Sequence, residues 1–242
     1  MEKTIIVTGA SRGIGHATAL RFHESGWRVI TVSREPPPGA CPWSIGRSHI
    51  LLDLSDLDTI GRCVELMREM LDEGELHALV NNAGTSPKGP GGSRLNSLDT
   101  DIATWQSMYN TNFYAPLLLT RGFARELAKA RGAVVNLTSI AGSRVHPFAG
   151  SAYATSKAAL AALTRELAFD LAPAGVRVNA IAPGEIDTAI LSPGTPQIVE
   201  RDVPMHRLGT TAEVADLIWF LCSPQASYIT GAEIPINGGQ HV

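Results

Sequence analysis

The chain has 242 residues, of which 44% are hydrophobic, so it can bury a sizeable core in one α/β domain or in two small ones. Its net charge of −3 leaves no surplus of basic residues to neutralise a phosphate backbone, which excludes nucleic acid as an expected partner. Three widely spaced cysteines without a C-x-x-C motif predict a reducing, cytoplasmic compartment. No apolar run approaches the roughly 18 residues of an ordinary membrane span, so no membrane partner is expected.

Short apolar runs alternate with helical patterns along the whole chain. The apolar runs predict strands at residues 4–8, 28–33, 49–53, 77–81, 133–138, 176–182 and 232–236. The segments between them predict helices over about 13–25, 55–73, 101–130, 152–172 and 211–223, the second capped by Ser55 with Asp58 three residues on. Because the runs are nearly continuous in Val, Ile and Leu, the strands are expected to be parallel and covered on both faces.

This order predicts a single α/β domain over residues 1–242, with one doubly wound sheet of about seven parallel strands and helices on both faces. Two segments rich in Gly, Pro and Ser, at 35–42 and 85–101, are expected to be loops.

The stretch TGASRGIG at residues 8–15 follows the first predicted strand and opens the first predicted helix. The first turn of a helix has N–H groups without intrahelical partners, and these attract an anion. Gly9, Gly13 and Gly15 would let the backbone approach a pyrophosphate closely. The spacing G-x-x-x-G-x-G is also compatible with a plain glycine-rich turn, so the stretch alone does not decide the matter.

The end of the second predicted strand bears on the cofactor. An NAD site would place a carboxylate there for the ribose hydroxyls, whereas this sequence has Ser33 and Arg34. A hydroxyl and a guanidinium suit a ribose 2′-phosphate, which Arg12 would reach from the glycine stretch. We therefore predict that NADP(H) is preferred and that NAD(H) is the alternative, although exposed arginines are often merely solvated. Asp53 would accept a hydrogen bond from the adenine, or would only cap a turn.

The fourth predicted strand ends in Asn81–Asn82–Ala83–Gly84. Small residues at that edge would let the backbone lie along the adenine ribose, and the Asn side chains would tie neighbouring strands together. A purely structural role would explain these residues equally well.

Tyr153 and Lys157 are four residues apart and therefore share one face of a predicted helix, while Ser139 follows a predicted strand. Reduction of a ketone requires a proton donor, and a phenol with an ordinary pKa near 10 is a poor base for the reverse reaction. An ammonium about 4 Å away, at an effective dielectric of about 20, contributes roughly 4 kcal/mol, on the order of 3 pKa units. We therefore predict that Lys157 lowers the pKa of Tyr153 and that Ser139 holds the substrate oxygen.

Asn112 lies in the long helix predicted over 101–130, and Pro116 follows four residues later. Because proline has no N–H, the carbonyl of Asn112 loses its usual helical partner and would accept from a water. A water held there and by Lys157 would start a proton relay to solvent. A proline kink without chemistry is the alternative.

Together, residues 8–15, 81–84, Asn112, Ser139, Tyr153, Lys157 and Pro183–Gly184 resemble the motifs of the short-chain dehydrogenase/reductase family, and the likeness covers essentially the whole chain. The resemblance implies a Rossmann-type sheet of seven parallel strands and a Ser–Tyr–Lys triad completed by Asn112. It also implies a small-molecule ketone or secondary alcohol as substrate, and a homotetramer, with a dimer as the alternative. The cofactor site that it implies comprises Gly9, Ser11, Arg12, Gly13, Ile14, Gly15, Ser33, Arg34, Asp53, Leu54, Asn81, Ala83, Gly84, Tyr153, Lys157, Pro183, Gly184, Ile186 and Thr188.

The substrate is expected to be selected by the variable loop 85–101 and by a lid over about 184–208, in which Pro193–Gly194–Thr195–Pro196 breaks any long helix. Lys88 and Arg94 favour an anionic or polyhydroxylated substrate, and His146 is a further candidate for substrate contact. A 3-oxoacyl thioester reductase remains an alternative, and so does a redox-idle nucleotide-binding regulator. No metal-ligand spacing is present among the histidines, so no metal is predicted.

Overall fold

The computed structural model describes residues 2–37, 39, 41–44, 48–189, 191–192 and 194–242. Seven strands form one parallel sheet in the order β3-β2-β1-β4-β5-β6-β7. They are β1 Thr4–Thr8, β2 Arg28–Ser33, β3 His49–Leu51, β4 Ala78–Asn81, β5 Ala133–Leu137, β6 Arg177–Pro183 and β7 Glu233–Ile236. The predicted doubly wound α/β fold is confirmed, and each strand lies within two residues of its predicted bounds.

Alternation along the buried strands divides the core into two layers. Ile5 and Val7 of β1 belong to one apolar cluster, whereas Ile6 between them belongs to the other. Successive side chains of a strand point to opposite faces of a sheet, so β1 contributes to both layers. This explains why its sequence is continuously apolar.

Helices cover both faces of the sheet. They are α1 Gly13–Glu24, α2 Leu57–Arg68, α3 Ile102–Tyr109, α4 Ala115–Gly122, α5 Ala124–Ala130, α6 Ser151–Leu171, α7 Thr195–Asp202 and α8 Thr211–Cys222. On one face α1 packs against α8, and on the other α2 packs against α4. Among the described residues, no helix is both long and apolar enough to cross a membrane.

The helix predicted over 101–130 is wrong as a single element. A π turn at Asn110–Tyr114 separates α3 from α4, and there the N–H of Ala115 donates to the carbonyl of Asn110, five residues back. Pro116 cannot supply an N–H, so the ordinary four-residue ladder is interrupted at this point. A second break at Phe123, where φ is −104° and ψ is 11°, separates α4 from α5.

Two other details of the helices differ from prediction. The N-cap of α2 is Asp56, whose carboxylate accepts from the N–H of Asp58, and the predicted cap Ser55 is wrong. Ser55 instead belongs to the preceding turn, since its N–H donates to the Asp53 carboxylate at 2.9 Å. The lid contains the short helix α7, which the sequence does not signal. Pro193, predicted to break helices in the lid, lies outside the described residues, as do residues 38 and 40 of the predicted loop 35–42.

Candidate active site

The turn between β1 and α1 forms a bare stretch of backbone at the carboxyl edge of the sheet. Gly9 and Gly13 have φ values of +67° and +58°, which favour glycine. The N–H of Gly9 donates to the carbonyl of Val32 at 2.7 Å. Arg12 occupies the N-cap of α1 without a side-chain cap, and the first turn holds no acidic residue. The N–H groups of that turn therefore remain suited to the pyrophosphate of a dinucleotide.

Asn82 fixes this turn from the end of β4. Its side-chain amide donates to the carbonyls of Thr8 and Gly9 at 2.8 and 3.0 Å. Gly15 packs against the same amide, and a Cβ on Gly15 would overlap it. Asn81 points into the sheet instead, where its amide donates to Asn136 of β5 at 2.8 Å. The predicted tie between neighbouring strands is thereby confirmed for both asparagines.

A single cleft of about 410 Å³ runs along this edge of the sheet, within the size range of small-molecule sites. Most residues of the predicted cofactor site line it, together with Ser139, Lys88 and His146. The cofactor residues in its wall are Gly9, Ser11, Arg12, Gly13, Ile14, Ser33, Arg34, Asp53, Leu54, Ala83, Gly84, Tyr153, Lys157, Pro183, Gly184, Ile186 and Thr188. Gly15 and Asn81, which were predicted to bind the cofactor, do not line the cleft, and neither does Asn112.

The end of β2 carries an acid that the sequence analysis missed. Glu35 lies 3.9 Å from Arg12, and both side chains are 66% exposed. Ser33 turns inward and donates to the backbone carbonyl of Glu35 at 2.6 Å. Arg34 is exposed at the cleft. Arg12, one of the two cations predicted to bind the 2′-phosphate, is therefore paired with the Glu35 carboxylate. Neither the composition nor the strand pattern of the sequence indicates this pair.

Ser139, Tyr153 and Lys157 converge in the cleft, from the end of β5 and from the first two turns of α6. The hydroxyl of Ser139 caps a short turn, accepting from the N–H of Ala141 at 3.1 Å. The Lys157 ammonium is buried 5.8 Å from the centre of the Tyr153 ring. It donates to the carbonyl of Leu137 at 2.6 Å. The predicted shared face of Tyr153 and Lys157 is confirmed.

The predicted lowering of the phenol pKa is wrong for this structure. Burial raises the pKa of Tyr153, a hydrogen bond with Ser139 lowers it, and the charge of Glu185 raises it further. Burial also lowers the pKa of Lys157 to about 8. The ammonium is held by the Leu137 carbonyl. Desolvation, which a Coulomb interaction between two charges does not include, is the largest influence on the pKa of both groups.

Asn112 lies in the π turn and is fully buried. Its side-chain oxygen accepts from the N–H of Thr85 at 2.9 Å, and its amide donates to the Thr85 carbonyl at 3.1 Å and to the Ser156 hydroxyl at 3.0 Å. The side chain thus joins the strand edge after β4 to α6. A Cβ on Gly84 would lie 3.2 Å from the Lys157 ammonium and 3.4 Å from the Asn112 side-chain oxygen. The ammonium and this oxygen therefore both lie next to Gly84, a residue of the cleft wall.

The three predicted substrate residues have different positions. Lys88 lines the cleft and its ammonium donates to the carbonyl of Phe148. His146 lines it too, and its Nε2 lies 2.7 Å from Glu185, a cleft residue that the sequence analysis missed. Arg94 does not line the cleft. Its guanidinium donates instead to the carbonyl of Ala149 at 2.8 Å and to the hydroxyl of Ser151 at 3.2 Å.

Comparisons with known proteins agree with this geometry. Residues 9–241 match a family model described as enoyl-(acyl carrier protein) reductase. A crystal structure of an oxidoreductase of the short-chain dehydrogenase/reductase family from Brucella ovis, in complex with a partially ordered NAD, is 56% identical, with a TM-score of 0.85. That match covers 98% of this chain and 100% of the other. The chain belongs to the short-chain dehydrogenase/reductase family.

Two curated relatives extend the comparison. Protein FixR of Bradyrhizobium diazoefficiens is 57% identical over 99% of this chain and 87% of its own length. The 3-oxoacyl-[acyl-carrier-protein] reductase FabG of Aquifex aeolicus is 34% identical over 98% of this chain and 96% of its own length. The predicted family and its NAD(P)-dependent oxidoreductase chemistry are confirmed.

Proposed function

We propose that the protein is a carbonyl reductase that transfers a hydride between NADP(H) and a ketone or secondary alcohol, with Tyr153 as the proton donor. The observation that carries this proposal is the meeting of Ser139, Tyr153 and Lys157 in the same cleft as the uncapped glycine turn. A dinucleotide bound on that turn would extend along the carboxyl edge of the sheet toward the three side chains.

The nicotinamide, when bound, supplies the hydride that reduces the carbonyl carbon and is itself oxidised. The phenol of Tyr153 donates a proton to the substrate oxygen, so that the alcohol leaves neutral. Since burial raises the pKa of Tyr153, the phenol holds its proton at neutral pH. The hydroxyl of Ser139 donates to the same oxygen and orients the carbonyl.

Lys157 and Asn112 would serve the return of the proton. The Lys157 ammonium lies 5.8 Å from the centre of the Tyr153 ring and next to Gly84. The buried Asn112 side chain also lies next to Gly84, and its amide donates to the Ser156 hydroxyl on α6. A water held between the Lys157 ammonium and the carbonyl of Asn112 would carry a proton from solvent. In this arrangement Lys157 acts on the proton path and on the orientation of the cofactor ribose.

We propose that NADP(H) is preferred over NAD(H). Arg34 supports this preference because it is exposed at the cleft immediately after β2, where a ribose 2′-phosphate would approach. Glu35 works against it, since its carboxylate lies 3.9 Å from Arg12 and repels a phosphate. The result is a preference smaller than two unopposed arginines would give. The Brucella ovis relative was crystallised in complex with a partially ordered NAD, so the activity of this protein should be measured with both NADPH and NADH.

We also propose a homotetramer in a cytoplasmic setting. Phe169 on α6 is 80% exposed, and a large aromatic side chain on a long helix favours burial against a second copy of the chain. The three widely spaced cysteines support a reducing compartment.

The experiment is a panel of ketones assayed separately with NADPH and NADH, using the wild-type protein and Tyr153→Phe. We expect wild-type turnover and its near-complete loss in Tyr153→Phe, while fluorescence titration shows that this variant still binds the cofactor. A wild-type protein that binds the dinucleotide but reduces no ketone would instead be the redox-idle regulator. Full activity of Tyr153→Phe would remove the phenol from the mechanism.

A further inference from the structure

Glu185 puts a carboxylate into the wall of the cleft, directly after Pro183 and Gly184 at the end of β6. The residue is only 8% exposed. Its backbone carbonyl accepts from the N–H of Gly209 at 2.9 Å, and a parallel bridge pairs Ile186 with the same glycine. The carboxylate therefore projects from a fixed backbone, which is what a selective binding group requires.

His146 orients this carboxylate. The N–H of Phe148 donates to Nδ1 of His146 at 3.2 Å, so that nitrogen acts as an acceptor and the ring proton lies on Nε2. Nε2 then donates to Oε1 of Glu185 at 2.7 Å. One carboxylate oxygen is satisfied by the imidazole. A carboxylate can accept several hydrogen bonds, so Glu185 can accept a further donor from the cleft.

The carboxylate lies close to where the reaction occurs. The pKa of Tyr153 is raised mainly by burial, and the negative charge of Glu185 raises it further. Burial lowers the pKa of Lys88, and the charge of Glu185 acts in the opposite direction. Glu185, Tyr153 and Lys88 line the same cleft. A substrate whose carbonyl oxygen meets the Tyr153 phenol would bring its neighbouring groups to the part of the cleft that Glu185 and Lys88 line.

Resting on the proposed function, we infer that Glu185 binds a hydroxyl group on the carbon adjacent to the reacting carbonyl, so that the substrates are hydroxylated ketones and the corresponding polyols. A hydroxyl donates to the free carboxylate capacity, and the Lys88 ammonium can donate to a second hydroxyl oxygen. An apolar acyl chain would desolvate Glu185 without supplying a donor. An ammonium in place of the hydroxyl could also pair with Glu185, but it would have to lose water in a cleft that already holds the cations Lys88 and Lys157.

The test uses ketones that differ in one group. Hydroxyacetone and butan-2-one have nearly the same shape, but the first carries a hydroxyl where the second carries a methyl group. Aminoacetone and an acetoacetyl thioester complete the set. For the wild-type enzyme we expect kcat/KM to be about 10- to 100-fold higher for hydroxyacetone than for butan-2-one, the range expected for one hydrogen bond to a charged acceptor.

Two variants at Glu185 and one control locate the cause. In Glu185→Leu we expect the preference for hydroxyacetone to be lost, mainly through a higher KM for that ketone. Glu185→Gln keeps an acceptor oxygen in a side chain of nearly the same shape, so it should retain part of the preference for hydroxyacetone. If the Leu variant does not fold, a reduced preference in the Gln variant tests the role of Glu185. Glu24→Gln removes a carboxylate from an exposed position on α1, outside the lid, and should leave the preference unchanged.

The outcomes separate this inference from the function on which it rests. If ketones are reduced but the hydroxyacetone preference is absent, or is equal in wild type and both Glu185 variants, the hydroxyl site is wrong while the reductase stands. Faster reduction of aminoacetone or of the thioester than of hydroxyacetone overturns the assignment as well. If no carbonyl compound is reduced with either cofactor, the proposed function fails and the hydroxyl site fails with it.

Discussion

The Lys157 ammonium lies 5.8 Å from the centre of the Tyr153 ring and donates its hydrogen bond at 2.6 Å to the carbonyl of Leu137. The two side chains share one face of α6, yet the ammonium is anchored to the end of β5. The phenol is consequently governed by burial, by Ser139 and by Glu185. A protonated phenol is ready to serve the reduction of a ketone.

The rates of the two directions of the reaction should therefore depend differently on pH. Since the pKa of Tyr153 is raised, the phenol is protonated at pH 7, and reduction needs no prior ionisation. Oxidation of the alcohol requires the phenolate and should accelerate as the pH rises through the alkaline range. Initial rates in both directions from pH 6 to pH 10 measure this. Oxidation that is fastest near neutral pH and flat above it would contradict the raised pKa.

Lys157→Met should change stability in a pH-dependent manner. Burial lowers the pKa of Lys157 from 10.5 to about 8 in the folded protein, so folding disfavours the bound proton. The resulting destabilisation is about 3 kcal/mol below pH 8 and disappears as the pH rises toward the pKa of the unfolded chain. Relative to wild type, the free energy of unfolding of Lys157→Met should fall by about 2 to 3 kcal/mol between pH 7 and pH 10.

Urea unfolding at both pH values, with the cofactor omitted, measures this difference. The same substitution at exposed Lys129 controls for the loss of a lysine side chain. A difference between wild type and Lys157→Met that does not vary with pH would mean that the ammonium is not destabilised by burial. Activity of the Met variant should be largely lost, since Lys157 lies in the cleft beside Tyr153.

The sequence predicts most of the fold because the strands are buried on both faces. Ile5, Ile6 and Val7 are fully buried, so the strand appears in the sequence as a continuous apolar run. Such runs locate the strands to within two residues of their observed bounds. The break in the helix predicted over 101–130 depends on which backbone groups find partners around Pro116, which a helical pattern does not show. The cap of α2 depends on the turn made by Asp53, which moves the first helical residue past Ser55.

Part of the candidate site is predictable from the sequence and part is not. Ser139 is predictable because it follows a strand, and Tyr153 and Lys157 are predictable because their spacing puts them on one face of a helix. The Glu185–His146 pair joins residues 39 positions apart, and only the folded chain brings them together. Glu35 is missed for a related reason, since its distance from Arg12 depends on how the turn after β2 folds back toward α1. The signal available in the sequence was an acid directly after Pro183–Gly184, at the start of the predicted lid.

Phe169→Glu should alter the oligomeric state. Phe169 is 80% exposed on α6, and a charge at that position would have to be desolvated in any interface between copies of this helix. We expect light scattering at micromolar concentration to give a tetramer for wild type and a smaller species for the variant. Arg62→Glu, at an exposed position on α2, is a control for added negative charge. A wild-type monomer would refute the proposed assembly.

Arg34→Ala and Glu35→Gln should change the cofactor preference in opposite directions. Arg34 offers a guanidinium to the 2′-phosphate of NADPH, a group that NADH lacks, so its removal should weaken NADPH by about 10- to 100-fold and leave NADH nearly unchanged. Glu35 is paired with Arg12 at 3.9 Å. Glu35→Gln frees that cation and removes a repelling charge, so NADPH should bind more tightly.

Fluorescence titration with each dinucleotide measures these effects apart from catalysis. Arg62→Ala, an exposed arginine of α2, controls for the loss of a surface cation. Equal losses for both cofactors in Arg34→Ala would show that Arg34 supports the fold of the turn after β2 and does not read the phosphate. A wild-type protein that binds NADH more tightly than NADPH would show that the carboxylate of Glu35 outweighs both arginines, because a carboxylate accepts from ribose hydroxyls and repels a phosphate.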